Sequence, residues 1–236
     1  IKVVKEILNL VYKNGDIYKN VYEGLYSISE ERFITEKEAD SGDFRDIKKL
    51  KETNYFFKMS KYQDKLIKHI NENPLFIQPE HRKNEILGFL KNPLNDLCIS
   101  RPKKRFDWGI DLPFDDNYVT YVWFDALINY ISGIGFNADS KSFENFWPCD
   151  IHFIGKDILT THAVYWPTML MSAKISLPRT IFAHGWWLSG DSKMSKSQGN
   201  VINPLDIIDT YGVDPMRYFL MRDMILGQGS KFTPDI

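Results

Sequence analysis

Cysteine is nearly absent: the 236 residues hold two, Cys98 and Cys149, far apart in the chain. That excludes a cysteine-rich zinc site and argues against a disulfide scaffold, so a reducing compartment, the cytoplasm, is the expected location. No apolar run approaches the ~20 residues that a membrane-spanning helix needs. The opening residues follow an amphipathic pattern and not that of a signal peptide. A chain that opens on Ile1, with neither Met nor a leader, is expected to be a segment of a longer protein. Neither sign of charge dominates. The formal net charge of −1 argues against a surface that is cationic all over. Internal repeats and low-complexity tracts are missing as well. What is present is 43% hydrophobic and 14% aromatic content, ample for a packed core and at odds with global disorder.

Charge is nevertheless uneven. Between Ile47 and Ile70 stand seven lysines (48, 49, 51, 58, 61, 65 and 68) against Glu52 and Asp64, a local balance of +5. Such a stripe is compatible with contact to an RNA backbone, although a solvated helix face is the commoner explanation of a run of this kind.

Two textures divide the chain. Ile1, Val4, Ile7, Leu8 and Val11 share one helical face, and Asn14-Gly15 supplies the stop. From Asp16 to about Asp46, aromatic and β-branched residues broken by Gly and polar clusters predict small antiparallel strands. The stretch from Lys48 to about Asn73 reads as helical in its second half, and His81 to Asn92 as a short helix ending before Pro93. Residues 17–116 therefore read as a small inserted α+β module. After Asp116 come strand-turn-helix units: a strand Val119–Phe124 with Asp125 capping a helix from Ala126, a strand at His152-Phe153-Ile154 followed by a helix to Met171, and a strand from Thr180 to Gly185. Repeated β-turn-α units predict an α/β fold with a parallel sheet, and ligands in such sheets sit beyond the carboxyl ends of the strands. All three junctions are thus expected at one crevice. The tail from Pro204 to Phe219 is helical text with a break at Gly212.

The stretch Lys193-Met194-Ser195-Lys196-Ser197, between Gly190 and Gly199, describes a mobile cationic loop. Ammonium groups on flexible stems can follow phosphate oxygens, and the hydroxyls of Ser195 and Ser197 can add hydrogen bonds. A nucleotide triphosphate is the usual source of such dense negative charge; a solvated loop is the bland alternative. Gly155-Lys156-Asp157, at a strand-to-helix turn, can admit a ribose close to the backbone, with Asp157 accepting from its hydroxyls or capping the helix. His184-Gly185 ends a strand just upstream of the lysine loop. Ile158, His162 and Trp166 are spaced to share a helix face with Tyr165 nearby, and Pro167 predicts a kink there. Such stripes are more often core packing. Together with Trp123, Ala126 and Tyr130 they could wall an apolar cavity suited to an uncharged, polarisable side chain, since a thioether sulfur packs well on aromatic rings. His69, His81 and His152 read as surface or core.

These stretches resemble the methionyl-tRNA synthetases, a branch of the class I aminoacyl-tRNA synthetases, from Asp16 to Phe232. The resemblance is carried by residues 22–26 (Tyr-Glu-Gly-Leu-Tyr), 54–64, Ile99-Ser100-Arg101 with Trp108-Gly109-Ile110, 121–130, 152–158 and the lysine loop at 193–197. It implies a Rossmann-like catalytic fold, with 1–16 closing its first half, 17–116 inserted, 117–190 its second half, and 191–236 the loop and the start of a stem-contact region. It implies a methionine pocket from Trp123, Ala126, Leu127, Tyr130, Ile158, His162 and Trp166, with Arg101 as an ion-pair partner behind it. It implies ATP contacts from Gly155, Lys156, Asp157, His184, Gly185, the backbone near Trp187, Lys193 and Lys196, the two lysines being catalytic and assisted by Mg²⁺. The implied activity is methionine activation by ATP and transfer to tRNA(Met). Two departures stand out. Where the family often carries a Cys-x-x-Cys zinc knuckle this chain has Ser27-Ile28-Ser29-Glu30, so no zinc is expected. The His-x-Gly-His turn of the first half and the carboxyl-terminal anticodon-gripping domain are not among these residues, so the segment alone is expected to be insufficient for turnover. The competing reading is an RNA-binding or interaction segment without turnover.

Overall fold

The computed structural model describes residues 1–28, 32–34, 39–40, 46–106, 108–195, 199–225 and 227–232. The chain divides into two units, one formed by Ile1–Tyr62, Leu94–Asn145 and Met169–Ile175, the other by Gln63–Pro93, Phe146–Thr168 and Ser176–Ile236.

The first unit opens with the helix Lys2–Lys13, whose buried residues are Val4, Ile7, Leu8 and Val11, the face the periodicity predicts. It ends as Asn14-Gly15 foretell: Gly15 takes φ +74° and donates its N–H to the Tyr12 carbonyl, while Asp16 donates to Val11. Two eleven-residue strands, Ile17–Ser27 and Ile47–Phe57, pair antiparallel along their whole length, flanked by Arg32–Ile34 and Leu97–Cys98. The basic run accordingly does not form one helix face. Lys48, Lys49 and Lys51 lie on a strand, and only Lys65 and Lys68 lie on the helix Gln63–Glu72, which belongs to the second unit. Several of these lysines are paired within their own unit: Lys49 and Lys51 lie 3.4 and 3.8 Å from the Glu23 carboxylate, and Lys68 lies 3.7 Å from Glu72.

At the foot of the hairpin Asp16 is buried, and it accepts hydrogen bonds from Lys61 Nζ at 2.6 Å, Ser172 Oγ at 2.7 Å and the Tyr62 hydroxyl. Burial by itself pushes its carboxyl up, but these donors outweigh burial and hold it below the ordinary value. Asp115 shows the same balance, with burial opposed by Lys19, Asn117 and Tyr55, and falls to about 2. A carboxylate depressed on folding stabilises the fold above its unfolded value, and that stability is lost as pH falls through the folded one. Acid denaturation is therefore expected to erode this unit from about pH 3.8 down toward 2, and Asp115→Asn to flatten that limb. Asp16→Ala, which removes the buried acceptor shared by Lys61, Tyr62 and Ser172, is expected to lower the stability measured by chemical denaturation by ~1–3 kcal/mol.

The expected strand Val119–Phe124 is displaced toward the amino terminus and shares only Val119 and Thr120 with the observed one. Asp115–Thr120 forms a strand between Ser100–Pro102 and Asp111–Leu112 in an antiparallel sheet, and a helix begins at Val122. The helical period was in the text: Phe124, Leu127, Ile128 and Ile131, spaced three and four apart, are all buried. Asp125 sits inside that helix, not at its start; the cap position is Tyr121, with no side-chain cap bond.

In the second unit Thr180–His184 pairs in parallel with Ile151–Gly155 on one side and with Ile77–Gln78, from within residues 17–116, on the other. Two of the three expected junctions are therefore on a parallel sheet; the one after Thr120 is not. A second sheet joins Trp187–Ser189 antiparallel to Ser192–Lys193 and parallel to Ser230–Phe232. Gly190, at φ +61°, takes the turn of that short hairpin. The tail forms helices Pro204–Tyr211 and Val213–Arg222, broken at Gly212 with φ +92° as the sequence predicts, and Asn203 caps the first by accepting from Leu205 N–H at 3.1 Å.

Candidate functional site

The strands Ile151–Gly155 and Thr180–His184 run in register, with Gly155 opposite His184, so their carboxyl ends lie side by side. The chain turns sharply after Gly155 into a 3₁₀ turn, Lys156–Ile158. Gly155 has no side chain to spare: a Cβ there would stand 2.6 Å from Asp157 Oδ1, which folds back over it. Asp157 is half-exposed, with one oxygen 3.7 Å from Lys193 Nζ and the other accepting the Trp186 indole N–H at 3.4 Å. The Trp186 ring lies beneath two ammonium groups, Lys156 Nζ at 4.0 Å and Lys193 Nζ at 4.2 Å from its centroid. The structure thus gathers Gly155, Lys156, Asp157 and Lys193 at the end of the parallel strands, around a tryptophan the sequence reasoning missed. The missed signal was a pair of adjacent tryptophans, of which only the second enters the strand Trp187–Ser189. Trp187, the one chosen, packs with Phe219 and Phe232 at 5.4 and 5.9 Å, so only its backbone is left to serve a ligand.

The loop base is ordered by Asn200, whose Oδ1 accepts from the Ser195 N–H at 2.8 Å and whose Nδ2 donates to the Lys193 carbonyl at 3.1 Å. Lys196 and Ser197 lie outside the described residues. His184 stacks on Phe153 at 5.4 Å and donates from Nδ1 to the Gly185 carbonyl at 2.7 Å. At Gly185 the backbone is crowded by the chain itself, since a Cβ there would lie 1.9 Å from the Gln228 carbonyl oxygen.

Beyond Ile158 the helix does not keep α geometry. Thr161–Tyr165 is a π turn, and α geometry resumes at Trp166. Pro167 lacks the N–H that the carbonyl of Ala163 would need, and a wider turn absorbs the break. The even spacing expected for Ile158, His162 and Trp166 is altered accordingly. His162 is buried and donates from Nδ1 to the Ile158 carbonyl at 2.9 Å; burial lowers its basicity, so the ring is neutral. Trp166 is 1% exposed, its ring 6.0 Å from Trp147 and its indole N–H donating to His152 Nε2 at 3.1 Å.

The other residues named for the amino-acid pocket lie in the first unit. Trp123 is half-buried, Leu127 buried, and Ala126 and Tyr130 exposed, along the helical run that follows Tyr121. Arg101 is buried, donating to the Ser100 carbonyl at 2.8 Å and stacking on the Tyr121 ring at 4.5 Å. Arg101, Tyr121 and Asp125 border a cavity of about 430 Å³ that Tyr26, Arg105 and Trp108 also line. Burial raises the Asp125 carboxyl. Ser27 ends its strand opposite Arg32, and Glu30 lies outside the described residues. Among the described residues no group of three or more His, Cys, Asp or Glu side chains is placed to hold a metal ion, and no helix is long and apolar enough to cross a membrane.

A methionine–tRNA ligase of Clostridium tetani is 50% identical over 242 residues, covering 100% of this chain and 37% of the relative. One of Bacillus subtilis is 43% identical over 252 residues, covering 99% of this chain and again 37% of the relative. The chain therefore spans a little over a third of the length of these curated relatives. Among solved structures, the Mycobacterium tuberculosis methionyl-tRNA synthetase in complex with methionyl-adenylate superposes with a TM-score of 0.89 at 45% identity, covering 98% of this chain and 47% of that one. At that likeness the fold is the α/β catalytic fold of the class I synthetases. The family model for tRNA synthetases class I (M) matches residues 42–235, taking in both the Gly155–Asp157 turn and the lysine loop, and the chain belongs to that family.

Proposed function

We propose that this chain is the catalytic-core segment of a methionine–tRNA ligase, in which the carboxylate of methionine attacks the α-phosphorus of ATP, pyrophosphate leaves, and the methionyl group passes from the adenylate to a terminal ribose hydroxyl of tRNA(Met). The observation that carries this reading is the gathering of Lys193, Lys156, Asp157 and the Trp186 ring at the carboxyl ends of parallel strands. That is where an α/β sheet receives its ligand. The methionyl-adenylate named in the complex of the tuberculosis synthetase supports it.

On this reading Gly155 and Asp157 take the ribose, His184, Gly185 and the Trp187 backbone border the nucleotide, and Lys156, Lys193 and Lys196 meet its phosphates. Lys193 lies over the Trp186 ring and against Asp157; the exposed pair with Asp157 has little intrinsic strength, so phosphate oxygens can replace the carboxylate while the ring stays beneath the ammonium. The lysines then stabilise charge as it moves onto the leaving pyrophosphate. The same reading assigns methionine binding to Trp123, Ala126, Leu127 and Tyr130, with Arg101 behind them, and to Ile158, His162 and Trp166. A neutral His162 suits an uncharged thioether. Mg²⁺, which neutralises phosphate charge, would come with the nucleotide: it keeps waters and binds through one or two carboxylates plus phosphates, and the described residues offer it no cage. The division into 1–16, 17–116, 117–190 and 191–236 and a cytoplasmic location belong to the same reading.

The test is pyrophosphate exchange in the complete protein that carries this chain. Exchange that requires both methionine and ATP is expected; exchange supported equally by leucine or valine, or none with methionine, overturns the proposal. Trp186→Ala, which removes the platform under Lys156 and Lys193, is expected to raise the ATP KM by about three- to tenfold and to leave the methionine KM unchanged in the same assay.

A further inference from the structure

His152, which the sequence reads as surface or core, takes no part in the site described above. Its surroundings nevertheless give it a task. The side chain is buried on the strand Ile151–Gly155, whose backbone is held by five register pairs to Thr180–His184. Its Nε2 lies 3.1 Å from the Trp166 indole nitrogen. An indole N–H only donates, so Nε2 accepts and the imidazole carries its own hydrogen on Nδ1. Trp147 completes the nest, with its ring 5.9 Å from His152 and 6.0 Å from Trp166 and its own N–H spent on the Ser176 carbonyl at 2.9 Å. The Cys149 sulfur lies 3.6 Å from the same Nε2.

We propose that His152 is a positioning residue that sets the orientation of the Trp166 ring through the indole N–H, and so shapes the amino-acid pocket without touching its ligand. The inference rests on the reading above that Trp166 is a wall of that pocket. Trp166 follows a π turn, where the backbone alone constrains a side chain less firmly than in an unbroken helix. A bond to an atom anchored in a paired strand supplies what the helix lacks. The acceptor is also dependable: burial, and then the neighbouring His162, push the imidazole down to about 4, so Nε2 keeps its lone pair through the neutral range. Removing it takes away the strand-anchored acceptor that the indole N–H meets at 3.1 Å, and the ring loses that constraint on its orientation.

A double-mutant cycle in the complete protein tests this. His152→Leu is expected to raise the methionine KM in pyrophosphate exchange about tenfold, with the ATP KM moved by less than about twofold. His152→Gln, which can offer an oxygen to the indole, is expected to restore most of the loss. In a Trp166→Phe background, where no N–H remains, His152→Leu is expected to change the methionine KM by less than about twofold. Equal effects in the two backgrounds, or a parallel rise in the ATP KM, overturn the inference while wild-type exchange leaves the functional reading standing. Should His152→Leu fail to fold, nitrogen-15 spectra of the wild type decide: a coupling across the Trp166 N–H to His152 Nε2 is expected, and its absence overturns the inference.

Discussion

Replacing Lys196 by alanine in the complete protein is expected to slow adenylate formation by about 10²-fold or more at saturating methionine and ATP. Attack on the α-phosphorus moves negative charge onto the departing pyrophosphate, and a preformed cation aimed at that charge lowers the barrier only where the charge develops. By analogy with oxyanion donors, one such contact is worth ~2.7–4 kcal/mol. Lys193 is expected to matter less to the rate and more to nucleotide affinity, because its ammonium is already held over the Trp186 ring and need only exchange Asp157 for phosphate. Single-turnover adenylate formation, or pyrophosphate exchange, measures both. A wild-type rate in Lys196→Ala ends the assignment of the catalytic cation.

Trp166→Ala is expected to raise the methionine KM more than the ATP KM and to destabilise the protein at the same time. The side chain is 1% exposed and meets Trp147 and His152, so truncation opens a cavity that typically costs ~3–5 kcal/mol. An apolar pocket discriminates by only ~1–3 kcal/mol per methylene, so shape and sulfur contact must act together and loss of one wall is felt in affinity. Equal shifts in the two KM values remove Trp166 from the pocket. Trp166→Phe is the milder variant, keeping a six-membered aromatic ring while losing the N–H and the second ring.

Local patterns carried much of the fold. The first helix, its glycine stop, the helices around Gly212 and the parallel strands ending at Gly155 and His184 all follow from spacing, apolar periodicity and Gly punctuation. The failures have equally physical causes. Val122, Trp123 and Phe124 favour strands by propensity, yet packing of Phe124, Leu127, Ile128 and Ile131 made a helix of them. Ile77–Gln78, two residues long, cannot announce itself by periodicity and is a strand only because Thr180–His184 offers it backbone partners.

The candidate site divides in the same way. Which residue types are present, two lysines in a glycine-flanked loop, an aspartate after a strand and a set of aromatics, is written in the order of the chain. Which of them meet is a matter of long-range packing that no local pattern encodes. Asp157 reaches Lys193 and Trp186 across some thirty residues because parallel pairing aligns the two strand ends. His152 became the acceptor of Trp166 because a paired strand and a π turn bring one ring edge to the other, a contact that exists only once both are folded.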